Sequence, residues 1–178
     1  MSIEYFEKVI TEAANSDTNT NPVIAVIDED SGNTLGILHY DLYADSKSAV
    51  LWYIATDSAL RNTGVGGRIY QDLTAILKEC GVETMVFEVE IPEIGSGPSH
   101  IAARRISWYQ RQGAILLGGY NYLQSVDTGT EPVPMYLMAQ SLVDEQELTP
   151  EAALNVCQEI FEDALTLTGK PHFINSPI

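Results

Sequence analysis

Residues 2 to 14 place Ile3, Phe6, Val9, Ile10 and Ala13 at helical spacing with polar residues between them, which predicts an amphipathic helix. Polar residues from Asn15 to Asn21 break it. Three runs rich in β-branched and aromatic residues follow: PVIAVIDED, TLGILHYDLYAD and AVLWYIATD. Ser31-Gly32-Asn33 between the first two has hairpin chemistry, and short turns throughout predict an antiparallel meander.

The pattern then changes period. RNTGVGGR is followed by Ile69, Leu73, Ile76 and Leu77, the apolar stripe of a helix that runs to Cys80 and stops at Gly81. TMVFEVE reads as a strand with Met85, Phe87 and Val89 on one face and Val86, Glu88 and Glu90 on the other. Strand, glycine loop, helix and strand in that order form a βαβ unit, whose crossover brings its two strands parallel. IPEIGSGPSH is loop, IAARRISWYQRQ a short helix ended by Gly113, and AILLGGYNYLQSV and VPMYLMAQSLV are strands. A last helix is expected from about 149 to 168, with Thr149 as N-cap, Pro150 in its first turn, and Leu154, Cys157, Phe161 and Leu165 along one face.

The chain has 178 residues, enough for one domain with one substantial core. No apolar run is long enough to span a bilayer, and the N-terminus lacks the layout of a signal peptide, so a cytoplasmic protein is expected. Cys80 and Cys157 sit among apolar residues and are expected to be buried, inert thiols. His39, His100 and His172 are too scattered for a metal cluster.

A net charge of −16 argues against a nucleic-acid partner. All five arginines fall between positions 61 and 111, where six basic residues offset six acidic ones, and the rest of the chain carries the whole −16. The acidic body favours cationic partners such as amines, while the arginine-bearing segment tolerates an anion.

Three glycines between a strand and a helix point to phosphate, because exposed N–H groups and the helix dipole converge there. The spacing excludes two nucleotide fingerprints. From Gly64 a Rossmann pattern would need glycine where Ile69 stands, and a P-loop would need Lys-Ser/Thr where Arg68-Ile69 stands. What remains is Arg-x-x-Gly-x-Gly-Gly. With its incoming strand, YIATDSALRNTGVGGRIYQDL resembles the acyl-CoA motif of the GNAT superfamily of acyl-CoA N-acyltransferases. TMVFEVE resembles that family's next strand, and ISWYQRQGAIL its tyrosine-bearing helix and exit. The resemblance covers roughly positions 50 to 140.

The resemblance implies a single GNAT-like domain over residues 1–178: an α/β fold with a mixed, mostly antiparallel sheet, a central splayed parallel pair and flanking helices. It implies acetyl-CoA as co-substrate, without metal, and direct transfer of the acetyl group to a primary amine. Backbone N–H groups of Asn62, Thr63, Gly64, Val65, Gly66 and Gly67 would cradle the pyrophosphate of coenzyme A, with Arg61 and Arg68 adding charge. Ile54, Ala55 and Thr56 would bond the pantetheine arm through their backbone. Tyr109 matches the family's general acid for the leaving sulfur, and Glu88 and Glu90 stand where family members activate the amine. Two carboxylates on one strand face are expected to repel and raise one pKa. His100 is a weaker candidate base, and Tyr40 or Tyr43 a candidate wall of the acceptor pocket.

The chain also departs from the family pattern Asn-x-x-Ala-x-x-x-Tyr, with Ala102 and Arg105 before Tyr109. Arg105 lies one turn before Tyr109 and would reach the cofactor's phosphates or pantetheine, or an acidic acceptor. A single N-terminal helix replaces the family's usual strand and helix pair. Expected partners are a small-molecule or peptide amine, such as a polyamine-like molecule, an antibiotic or a protein amino group. A homodimer is compatible with the resemblance, and neither nucleic acid nor a membrane is expected. The alternative is a non-catalytic acyl-CoA-binding module that senses or scaffolds.

Overall fold

The computed structural model describes residues 22–28, 30–95, 97–124, 131–144 and 146–175. The expected helix over 2–14 lies outside them. The chain divides into two compact units, one ending at Val82 and the other starting at Glu83.

The first unit is the predicted meander. Strands β1 (Val23–Ile27), β2 (Thr34–Tyr43) and β3 (Ser48–Thr56) pair antiparallel in sequence order. The Asp28 carboxylate accepts from the Ser31 N–H at 2.8 Å and holds the first turn. Helix α1 (Val65–Glu79) buries Ile69, Tyr70, Leu73 and Leu77, whose spacing makes one stripe. It ends at Cys80, and Gly81 follows at φ 81°, a left-handed stop that glycine adopts without strain. Where α1 meets the sheet, Ile69 lies 3.0 Å from where a Cβ on Gly36 would stand, and such a Cβ would also collide with the Ala55 carbonyl. Gly36 is the residue that lets helix and strands approach.

The second unit is a four-stranded antiparallel sheet in the order β4-β6-β5-β7, from β4 (Thr84–Glu90), β5 (Ile115–Gln124), β6 (Val133–Ser141) and β7 (Leu165–Ile174). Helix α2 (Ile101–Arg111) lies against one face, with Tyr109 stacked on Phe87 of β4 at 4.3 Å between ring centroids. Helix α3 (Pro150–Ile160) leads to Phe161, which stacks on Tyr122 at 5.0 Å on the other face. Met85, Val86 and Phe87 are consequently buried in succession, which explains a β4 sequence too apolar for a one-sided strand.

The C-terminus differs from expectation. Thr149 caps α3, its hydroxyl accepting from the Ala152 N–H at 3.2 Å, but the helix stops at Ile160 rather than near 168. Leu165 opens β7, a strand absent from the sequence reading. Leu-Thr-Leu-Thr alternates with period 2 and is β-branched, so the competing signal was present. Pairing with β5 turns that marginal preference into a strand.

That pairing depends on a bulge in β5. Leu117 opposes Leu137 of β6 and Tyr122 opposes Met135, so β5 spends more residues than β6 between the two registers. Gly119 sits there at φ 92°, and a Cβ on it would strike the Lys170 carbonyl of β7. The Tyr120 hydroxyl repairs the interrupted ladder, accepting from the Leu137 N–H and donating to the Leu137 carbonyl.

Candidate active site

In the first unit, the glycine loop follows a 3₁₀ turn at Ser58–Leu60, capped by the Asp57 carboxylate on the Ala59 N–H at 2.7 Å. Asn62 adopts φ 65° and Gly64 φ 91°, and the Thr63 hydroxyl donates to the Leu60 carbonyl at 2.7 Å. Gly64 is the N-cap of α1 and brings no side chain to cap the helix, whose first turn also contains no acidic residue. The first N–H groups of a helix have no intrahelical carbonyl. Here they end in an exposed loop flanked by the exposed Arg61 and Arg68, which fits a phosphate ester. Ile54, Ala55 and Thr56 end β3, opposite Leu38, Ile37 and Gly36 of β2.

The same unit holds a cluster that sequence reasoning missed. The Trp52 indole N–H donates to Asp41 Oδ2 at 2.6 Å, and the other Asp41 oxygen is buried without a hydrogen bond among the described residues. Burial pushes this carboxyl above its ordinary value, against the lowering effects of Trp52 and His39. Burial likewise lowers the pKa of the His39 imidazole. Tyr40 is buried in the core and Tyr43 is half-buried, and burial raises the pKa of both phenols.

The second unit collects Glu88, Glu90, Arg105 and Tyr109. Glu88 is half-buried, and burial raises its pKa, while hydrogen bonds from Tyr122 and Gln124 act in the opposite sense. The Tyr122 hydroxyl donates to Glu88 Oε1 at 2.5 Å. The expected cause of the shift is thus corrected: burial raises this pKa, because Glu90 turns instead to Arg105. The Arg105 guanidinium meets Glu90 Oε2 at 3.0 Å, with side chains 44% and 53% exposed, so the pair contributes little to stability.

Tyr109 is 7% exposed, between Phe87 and an edge-on Trp108 at 4.8 Å. Burial pushes its phenol up to about 12, slightly offset by Arg105. Since Phe87 and Glu88 are neighbours on one strand, Tyr109 and the Glu88 carboxylate stand on opposite faces of β4. His100 caps α2, its Nδ1 accepting from the Ala102 N–H at 3.4 Å.

Of the two cysteines, Cys157 is buried as expected, its thiol pushed up to about 12. Cys80 is exposed at the end of α1, where the turn carries it off the apolar stripe. Among the described residues no helix is long and apolar enough to cross a membrane.

The model of the Acetyltransferase (GNAT) family matches residues 2–113, more than half of the chain. Among solved structures, one described as a GNAT-family acetyltransferase from Bacteroides thetaiotaomicron is 26% identical with a TM-score of 0.66, covering 89% of this chain and 77% of that one. The ribosomal-protein-S18-alanine N-acetyltransferase of Escherichia coli is 16% identical at a TM-score of 0.56, covering 83% of each chain. An aminoglycoside 6'-N-acetyltransferase complexed with coenzyme A is 14% identical at 0.56, covering 77% of this chain and 79% of that one. A comparison with curated proteins finds no match. The chain belongs to the GNAT acetyltransferase family and has its α/β fold. It is an acetyl-CoA-dependent acetyltransferase, and the sensor alternative gives way to an enzyme.

Proposed function

We propose that the protein transfers the acetyl group of acetyl-CoA directly to a primary amine, as one catalytic domain. The observation that carries this reading is Glu88, a half-buried carboxylate with its pKa raised and two side-chain donors fixing its position. An amine at neutral pH is mostly an ammonium ion and must lose a proton before it attacks. A carboxylate whose pKa is moved up toward neutrality is a better base for that step, and its charge attracts the cation.

Bound acetyl-CoA supplies the acetyl group as an activated thioester. The N–H groups of Asn62 and of Gly64 to Gly67 would receive the pyrophosphate, with Arg61 and Arg68 offsetting its charge; the Thr63 N–H, expected among them, is instead held by the Leu60 carbonyl at 3.3 Å. The backbone of Ile54 to Thr56 orients the pantetheine arm. Tyr109 then serves the leaving sulfur from the α2 face of β4, with Glu88 at the amine on the opposite face and the thioester at the edge of β4 that β6 does not occupy. With its phenol at about 12, it stays protonated through the neutral range and is always a donor. A thiol with a pKa of about 8.5 is the stronger acid, so complete transfer from Tyr109 would be uphill by roughly 5 kcal/mol. Its role is to donate a hydrogen bond as charge builds on sulfur. Glu90, at the exposed end of β4, is paired with Arg105, which leaves Glu88 as the carboxylate that faces the acceptor.

The test follows free-thiol release from acetyl-CoA over a panel of mono- and polyamines, with hydroxyl acceptors beside them. Release with amines, reduced about 10²- to 10⁴-fold in Glu88→Gln while calorimetric binding of acetyl-CoA persists, is expected. Release with hydroxyl compounds and none with amines would overturn the assignment.

A further inference from the structure

Glu88 alone does not explain its own geometry. It lies on β4 beside an apolar sheet, and a carboxylate there needs donors that hold it in one orientation. The second unit provides them from β5, through the Tyr122 hydroxyl at 2.5 Å from Oε1 and the Gln124 side chain. We propose that Tyr122 is a positioning residue of the acetyl transfer, orienting Glu88 through that bond so that the second carboxylate oxygen is presented to the acceptor amine. This rests on the reading of Glu88 as the base.

Three observations support it. First, Tyr122 reaches Glu88 only because of the β5 bulge. In an unbroken strand, side chains five residues apart point to opposite faces, so Leu117 and Tyr122 would be separated. With the extra residues, Leu117 opposes Leu137 and Tyr122 opposes Met135, and those two β6 residues themselves oppose Glu88 and Glu90. All six therefore share one face. Secondly, Tyr122 is 4% exposed and its ring is braced by Phe161, so the hydroxyl has little freedom to leave. Thirdly, burial and the neighbouring Glu88 both raise the pKa of the Tyr122 phenol, so it remains a donor wherever Glu88 is ionised. Among the described residues, the other titratable groups of the second unit on this side are Glu90, tied to Arg105, and Cys157 and Tyr120, both pushed up by burial and therefore neutral.

Tyr122→Phe keeps the ring and removes the donor. Because that donor favours the ionised carboxylate, its loss should raise the Glu88 titration midpoint by about 1 unit. The midpoint is read by carboxyl NMR of protein labelled with ¹³C-glutamate, the Glu88 resonance being assigned by its absence in Glu88→Gln. The acid limb of kcat/KM against pH should move up by the same amount, whereas loss of ring packing alone would move neither. An unmoved midpoint overturns the role of Tyr122 and leaves Glu88 as base. A midpoint that moves while the limb stays overturns Glu88 as base, and the positioning role with it. A second measurement does not need Tyr122→Phe to fold. So short a hydroxyl–carboxylate bond should give a downfield hydroxyl proton resonance in the wild type that is missing from Glu88→Gln, and its persistence there would remove the pairing.

Discussion

Tyr109 combines a packed position, shown by the structure, with the role at the leaving sulfur proposed for it. Its position before the Gly113 exit was legible, because a tyrosine at the end of an amphipathic helix follows from spacing alone. Its environment was not, since stacking on Phe87 needs β4 and α2 folded together. Tyr109→Phe keeps that stacking and removes the donor. Turnover is expected to fall on the order of 10²-fold, with acetyl-CoA affinity within about twofold by calorimetry. Glu88 and Glu90 illustrate the complementary lesson: period 2 put them on one side, but their different fates came from Tyr122 on β5 and Arg105 on α2, which no local pattern names.

The glycine loop and the β5 bulge are elements of different legibility. The loop's composition announced a helix start with bare N–H groups, and α1 begins within it. Gly66→Glu should abolish acetyl-CoA binding in calorimetry, because a carboxylate then occupies the anion's place. The melting temperature should change little, since an acidic residue in a first helical turn suits the dipole. The pair Gly118-Gly119, by contrast, lay within AILLGGYNYLQSV, which read as one continuous strand. Its meaning emerged only with β7 alongside, where the Lys170 carbonyl leaves Gly119 no room for a side chain. Gly119→Ala combines a left-handed φ with that clash, and a loss of about 2–4 kcal/mol is expected in denaturant unfolding. The same bulge aims Tyr122, so activity of any folded fraction should fall as well.

For the molecule as a whole, net charge and the two buried carboxyls pull stability in one direction. Glu88 and Asp41 both have raised values in the folded state. Between the ordinary carboxylate range near 4 and those raised values, these two groups hold more protons in the folded chain than in the unfolded one, so their contribution to stability falls as pH rises through that window. His39, whose pKa burial lowers, contributes in the opposite sense as pH rises toward its ordinary value. Self-repulsion of a −16 chain has the same sign as the carboxyls. Thermal scans should separate the two. Raising ionic strength to about 0.15 M, where the screening length is roughly 8 Å, should raise the melting temperature at pH 7. The gain made there by Glu88→Gln should persist in salt, since its origin is burial. The sequence by itself determined the meander, the α1 stripe, the βαβ order and the glycine-loop start of α1, because these rest on periodicity and turn chemistry within a few residues. Only the tertiary structure decided that residues 165–174 form a strand, that Cys80 is exposed, and that Tyr122 holds Glu88. Each depends on partners far along the chain, whose positions are set by packing and by a bulge that changes the parity of a strand.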